Sequence, residues 1–256
     1  MSETAFTLVG GPTALLEYGG WTFLTDPTFD DPGQYQGAAG TLVKTTGPAI
    51  RVDDLPAVDV ILLSHDQHAD NLDTSGRRLV EGGGTKVLGT LETADRIATV
   101  TGVAPWERSV LEAPDKATVT VTAVPAQHGP EGCEPVTGTV TGFVLTGSDL
   151  PTVYVSGDNA SLEVVGAVAK RFAPIGLAVL FAGAARVGLF DNAALTLTAQ
   201  DAAEAARVLE AAAVMPVHAE GWQHFSEGHG ELRTEFAAAG LDGLLRIPTP
   251  GEKLSL

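Results

Sequence analysis

The sequence predicts an α+β fold in a single domain spanning residues 1–256. Three observations lead there. Short runs rich in Val, Ile, Leu and Thr, bounded by Gly, Pro and Asp, fill most of the first 155 residues. Apolar residues at helical spacing become prominent after residue 160. No repeat, low-complexity tract or Pro/Ser linker divides the 256 residues, so one core with two sheet-like halves is expected.

Taken in order, residues 13–18 (TALLEY) and 21–25 (WTFLT) read as strands joined by Gly19-Gly20, a pair suited to a tight hairpin turn. Asp26-Pro27 closes the second strand. Residues 27–50 are rich in Gly, Pro and Thr without periodicity and read as a long ordered loop, a feature more often functional than idle. Residues 58–63 (VDVILL) form an apolar run ending in Ser64-His65. A helix is expected over 72–80, a strand over 86–88 and a helix over 92–100. Residues 118–124 (TVTVTAV) alternate as a strand and lead into Gln127-His128. Strands follow at 139–145 and 152–155, turned by Gly147-Ser148-Asp149. Residues 162–172 are a helix and 177–181 a buried strand. An Ala-rich helix over 198–212 starts at the N-cap Thr198 with Asp201 in the capping-box position. Strand 214–217 ends in His218, and helix 231–239 stops at Gly240.

Composition narrows the function. Fifteen Lys and Arg against 32 Asp and Glu give a formal charge of −17, which repels phosphate backbones and argues against nucleic-acid partners. The one cysteine, Cys133, excludes an intrachain disulfide and any CxxC motif, and reads as a small buried residue. The first residues lack a signal-peptide pattern and no apolar run has the length of a membrane span. These features read as a soluble cytoplasmic protein without membrane partners, either monomeric or a homo-oligomer, acting on a small-molecule substrate. No GxSxG elbow, GxxxxGK[ST] loop or GxGxxG spacing is present.

Four apolar runs end alike, at His65, His128, Asp158 and His218. Each puts a metal-competent side chain at or just beyond the end of an expected strand, where a rigid sheet holds it and the rim exposes it. The segment Ser64-His65-Asp66-Gln67-His68-Ala69-Asp70-Asn71 is the densest, with two imidazoles and two carboxylates. Such groups suit Zn2+ first, as one or two ions, with Mn2+, Fe or Ni as alternatives. Taken alone, the segment reads equally as a polar loop in which Asp70 or Asn71 caps the next helix.

The order of these pieces resembles the metallo-β-lactamase fold, over most of the chain from TFLTDP at 22–27 to Pro216-Val217-His218. It is most similar to the branch of ascorbate-phosphate lactonase-like and phospholipase-D-like hydrolases. The resemblance implies a four-layer αβ/βα sandwich. It also implies a metal site built from a His-x-His-x-Asp-His loop, a lone His, a bridging Asp and a final His. Gln127-His128-Gly129 matches the lone His, and Ser156-Gly157-Asp158 the bridging Asp.

The loop departs from that pattern. Read without a gap, Gln67 and Ala69 fall where His and Asp belong. With one extra residue, His68, Asp70 and Asn71 take the second-His, Asp and third-His places, which keeps more ligand types. The resemblance then implies a tri-imidazole site of His65, His68 and His128, and Asp158 bridging to a second site of Asp70 and His218. Asn71 would be a weak ligand there, since an amide oxygen is poorer than imidazole. Metal-bound hydroxide is the expected nucleophile, with Asp70 orienting it as base if no second metal claims that carboxylate.

His224 and His229 follow in HAEGWQHFSEGHG. His224 is the stronger candidate, to protonate a leaving group or bind an anionic part of the substrate; the plain alternative for both is a surface loop. Asp26 is read as a support for a ligating His or as a turn cap. The expected function is a metal-dependent hydrolase of a small ester, lactone or phosphodiester. An Fe-dependent redox or lyase enzyme, and a non-catalytic binding protein of the same fold, are the other readings.

Overall fold

The computed structural model describes residues 4–37 and 40–256. Residues 1–3, read above for a leader, and 38–39, within the expected loop, lie outside them. The chain opens with β1 (Ala5–Gly10), β2 (Thr13–Tyr18) and β3 (Trp21–Thr25), the last two being the Gly19-Gly20 hairpin at its expected bounds. The expected loop 27–50 is corrected: it contains β4 (Gly33–Gly37) and β5 (Gly40–Lys44), an antiparallel ribbon outside both main sheets. Its glycines and largely solvated faces conceal it from periodicity.

Next come β6 (Val60–Leu62), α1 (Thr74–Glu81), β7 (Lys86–Gly89), α2 (Leu91–Arg96) and β8 (Val100–Gly102). The helix expected over 92–100 therefore stops at Arg96, because Ile97 turns extended and Val100 joins the sheet beside β7. They are followed by β9 (Arg108–Leu111), β10 (Val119–Pro125), α3 (Glu134–Thr137), β11 (Thr141–Gly147) and β12 (Val153–Val155). The last third holds α4 (Leu162–Phe172), β13 (Leu177–Phe181), α5 (Ala199–Val208), β14 (Val214–Val217), α6 (His229–Ala238) and β15 (Lys253–Ser255). Thr198 caps α5 as expected, accepting from the Asp201 amide at 3.1 Å. The helix ends at Val208, four residues before the expected end, and Glu210 follows in a left-handed conformation.

Seven strands form one sheet in the order β15-β1-β2-β3-β6-β7-β8, and six form another as β14-β13-β12-β11-β10-β9. One core joins the facing sides of both, with Phe6, Leu16, Phe23 and Leu62 meeting Val121, Phe143, Val155 and Phe181. The outer face of the first sheet buries Ile61, Leu63 and Val87 under Val80 and Ile97 from the α1–α2 region. The outer face of the second buries Tyr154, Ala178 and Leu180 under α4, α5 and α6. The order of layers is helices, sheet, sheet, helices. That is the four-layer sandwich, and burial on both faces explains why β6 reads as VIL without alternation. Among the described residues no helix is long and apolar enough to cross a membrane.

Candidate metal centre

Five strands deliver the site by their carboxyl ends. β3 runs into Asp26, β6 into Ser64-His65, β10 toward His128, β12 toward Asp158, and β14 into His218. Strands β10, β12, β13 and β14 all run the same way, because β11 is antiparallel to its two neighbours and β12 to β14 are parallel. Strands β3 and β6 are parallel as well. Side chains far apart in sequence thus converge at one rim. Gly157 allows the last step of β12: its φ is +59°, and a Cβ there would lie 2.6 Å from the Thr141 carbonyl oxygen and 3.1 Å from Ser64 Cβ.

His65, His68, His128 and Asp158 come together, each offering one ligand atom within 4.8 Å of all the others. His65 Nε2 lies 2.9 Å from His68 Nδ1, and His128 Nε2 lies 3.3 Å from both His68 Nδ1 and Asp158 Oδ2. The outer nitrogens of His65 and His128 are occupied. Ser64 Oγ bonds His65 Nδ1 at 3.0 Å, and His128 Nδ1 donates to the Leu195 carbonyl at 2.8 Å, leaving Nε2 of each ring for the centre. Cys133, buried as expected, donates its thiol to the His128 carbonyl at 3.0 Å and fixes that backbone.

A second group adjoins the first. Asp70 Oδ2 is 3.2 Å from His218 Nε2 and 2.9 Å from His224 Nε2, and His218 Nε2 is 3.6 Å from Asp158 Oδ1. His218 is held in a left-handed conformation at φ 53°, with its amide donating to the Gly11 carbonyl at 2.8 Å and its ring between Phe181 and Phe225. The His224 segment is clasped on both sides: the Gln223 amide donates to Val43 of β5 and the Arg186 amide to the His224 carbonyl, each at 2.9 Å.

Asn71 is buried and faces this centre. Its Nδ2 donates to Asp26 Oδ2 at 3.2 Å and to Asp158 Oδ1 at 3.3 Å, while Oδ1 has no hydrogen-bond partner. The helix cap considered for Asp70 or Asn71 belongs to Asp73, which accepts from the Gly76 amide. Asp26 supports His65 indirectly, since both its oxygens hold Ser64, one through the amide and one through the hydroxyl, each at 2.6 Å. Asp66 turns away to bind Arg96 and Thr93. Gln67 is exposed and lies over Gly138. His229 pairs with Glu220 at 3.0 Å, apart from the centre.

Electrostatics follow from burial and crowding. Burial, followed by the neighbouring His68 and His128 imidazoles, lowers the pKa of His65 well below its ordinary value. Burial likewise lowers His68. Burial would raise Asp70, but the His224 and His218 imidazoles outweigh it and hold the carboxyl well below the usual range. Burial pushes Asp26 up to about 7 against the hydrogen bonds from Ser64 and Asn71. At His218 burial would lower the pKa, but the Asp158 and Asp70 carboxylates outweigh it and raise it. Burial thus keeps His65 and His68 neutral, the state in which imidazole binds a cation.

The donors fit a transition ion. Asp158 Oδ2 and Asp70 Oδ1 are buried without a hydrogen-bond partner, and orphaned buried carboxylate oxygens are costly unless something cationic meets them. Three imidazoles and a carboxylate are donors shared by Zn, Mn, Fe and Ni.

A family model described as "Beta-lactamase superfamily domain" matches residues 22–219. The chain belongs to this family. A UPF0173 metal-dependent hydrolase of Pelotomaculum thermopropionicum is 31% identical over 54% of this chain and 58% of its own length. N-acyl-phosphatidylethanolamine-hydrolyzing phospholipase D 1 of Caenorhabditis elegans is 27% identical over 70% of this chain and 53% of its own length. The chain thus spans little more than half of these curated relatives. The crystal structure of isothiocyanate hydrolase from Delia radicum gut bacteria superimposes with a TM-score of 0.82 at 23% identity, covering 98% of this chain and 100% of that one. The superfamily fold is common to both.

Within this superfamily member, sequence reasoning passed over Ser64 as a support, the Leu195 carbonyl and Asn159. Ser64 carried a signal: a hydroxyl closing an apolar strand immediately before a histidine. Asn159, which accepts from the Gln127 amide at 3.1 Å and so ties the Asp158 turn to the His128 segment, carried none beyond its adjacency to Asp158.

Proposed function

We propose that the chain is a metal-dependent hydrolase of a small ester, lactone or phosphodiester, with Zn2+ as the resident ion. The observation that carries this reading is the convergence of His65, His68, His128 and Asp158, with an orphaned carboxylate oxygen at its centre. These four residues would hold one ion tightly. Asp70 and His218, with Asp158 shared, would hold a second one weakly, because Asn71 gives Asp158 Oδ1 a hydrogen bond in place of an imidazole.

When bound, such an ion supplies Lewis acidity toward a substrate oxygen and acidifies water. The chain's own groups handle orientation and protons. Hydrolysis of an ester adds the oxygen of water to the acyl carbon, breaks the carbon–oxygen bond and returns a proton to the leaving alkoxide. Asp70, ionised and lining the cavity, would take the proton from water where no second ion claims its carboxylate. His224, 2.9 Å from Asp70 Oδ2 and lining the same cavity, is placed to deliver one to the leaving group.

Elemental analysis after mild purification tests the metal, and a panel of p-nitrophenyl esters, lactones and phosphodiesters tests the chemistry. About one transition ion per chain is expected, with turnover lost on chelation and restored by Zn2+. Asp70→Asn should lower kcat by about a hundredfold or more. Absence of Zn, Mn, Fe and Ni from active protein would overturn the proposal.

A further inference from the structure

The cavity above the candidate centre has a polar floor and apolar walls. His68, Asp70, His128 and His224 form the floor of a cleft open to solvent. Leu42, Val136, Val187, Leu189, Phe190 and Leu195 form the walls. Among the described residues no lysine or arginine lines it. Val136 and Leu189 are 47% and 38% exposed, large apolar side chains left in water at the rim of a polar site. Exposed apolar side chains gathered at a concave site mark a surface meant to be covered by a ligand.

The wall is built in place. Phe190, Asp191 and Asn192 have φ of 52°, 54° and 59°, three consecutive left-handed residues without a glycine among them. Such a turn persists only where its surroundings hold it. The Arg186 guanidinium binds the Asn192 carbonyl, and the Leu195 carbonyl accepts from His128 Nδ1, so the wall is tied directly to the proposed ligand set. An anionic group seated against this wall would meet Asp70, while the nearby Arg186 guanidinium is engaged by the Asn192 carbonyl, within a chain of formal charge −17.

Resting on the hydrolase reading above, we infer that the substrate is an uncharged ester or lactone whose non-reacting side is a compact apolar group. That group seats on Val136, Val187, Leu189, Phe190 and Leu195. Phosphodiesters and substrates with a carboxylate on that side are disfavoured. The cavity supplies transfer energy to the apolar part and leaves the polar floor to meet the carbonyl.

Hydroxamates separate this inference from the reading beneath it, because they chelate a metal whether or not turnover occurs. Binding of acetohydroxamate, hexanohydroxamate, benzohydroxamate and succinic monohydroxamate to the zinc-loaded protein would be measured by calorimetry, with metal content determined on the same samples. Hexano- and benzohydroxamate should bind about tenfold or more tighter than acetohydroxamate, and the succinic probe no tighter. Leu189→Asp should abolish the gain from the apolar tail, bringing hexano- and benzohydroxamate to about the affinity of acetohydroxamate. Equal affinities across the series, or tightest binding of the succinic probe, would overturn the inference while the metal reading stands. Protein that holds no metal and binds no hydroxamate would overturn both.

Discussion

Asn71 donates its amide to Asp158 Oδ1 at 3.3 Å, while Asp158 Oδ2 has no hydrogen-bond partner. The two oxygens of one carboxylate thus meet different surroundings. Oδ2 lies 3.3 Å from His128 Nε2 in the tri-imidazole group, and Oδ1 faces the amide of Asn71. Asn71→His should raise metal content from about one toward two ions per chain, because imidazole is the better ligand. Asn71→Ala should instead leave Asp26 Oδ2 and Asp158 Oδ1 each short of a donor, costing about 1–3 kcal/mol. Thermal melts and metal analysis of both variants check this; equal stoichiometry in Asn71→His and the parent contradicts it.

His68 and Gln67 separate on the same measurement. His68 Nδ1 sits 2.9 Å from His65 Nε2 inside the centre, whereas Gln67 is exposed and its Oε1 accepts only from the Asp66 amide, at 3.3 Å. His68→Ala should lower metal content and activity together. Gln67→Ala should leave both nearly intact. Retained metal in the first variant with loss in the second would reverse the assignment.

How far the sequence could be read depends on what each residue had to reveal. Strand 21–25, helix 162–172 and strand 177–181 were legible because turn residues bound them and their apolar spacing matches one period. The strand ends named His65, His128, Asp158 and His218 for the same reason: each polar side chain breaks an apolar run. The ribbon of β4 and β5 was not legible, because its residues bury little and pair with each other outside the sheets. Strand β1 is illegible because Thr7, buried between Phe6 and Leu8, breaks the apolar run while Leu8 and Val9 break the alternation. Nor could spacing show that Asn71 reaches both Asp26 and Asp158, contacts spanning 45 and 87 residues that exist only after the sheets pack.

Asp30 gives a pH-dependent prediction away from the centre. Its carboxylate accepts from the Thr74 and Ser75 amides at 3.0 Å and clamps the start of α1. Burial would raise its pKa, but the donors from Ser75 and Thr74 outweigh burial, so the folded value lies below the ordinary one. A depressed carboxylate contributes stability that is fully present above its unfolded pKa of about 3.9 and lost as pH falls through the folded value. Asp30→Asn should therefore cost about 1 kcal/mol near pH 7, in the range of a lost cap, with solvent screening the half-buried charge. The gap from the parent should narrow as pH falls below the unfolded value and close once the folded carboxylate is protonated. Urea titrations across that range test it, and a gap that widens in acid would refute it.

Gly76 sets the seat of α1 and, through it, the geometry of the loop that carries His68, Asp70 and Asn71. A Cβ at this position would lie 1.8 Å from the Pro27 carbonyl oxygen and 2.7 Å from its carbon, so helix and backbone touch with no room for a methyl group. On a free helix surface Gly→Ala would stabilise by about 1 kcal/mol. Here the sign should invert, since α1 must move away from Pro27, the residue that follows Asp26. Gly76→Ala should lower stability by about 2–3 kcal/mol, or about 5–10 °C in Tm for a chain of this size. Because Asp26 holds both Ser64 and Asn71, the displacement should reach the centre, and metal affinity should fall together with Tm. A Gly76→Ala protein as stable as the parent would show that α1 and Pro27 can part without cost. A destabilised protein with unchanged metal affinity would show that the seat of α1 and the metal centre are mechanically independent.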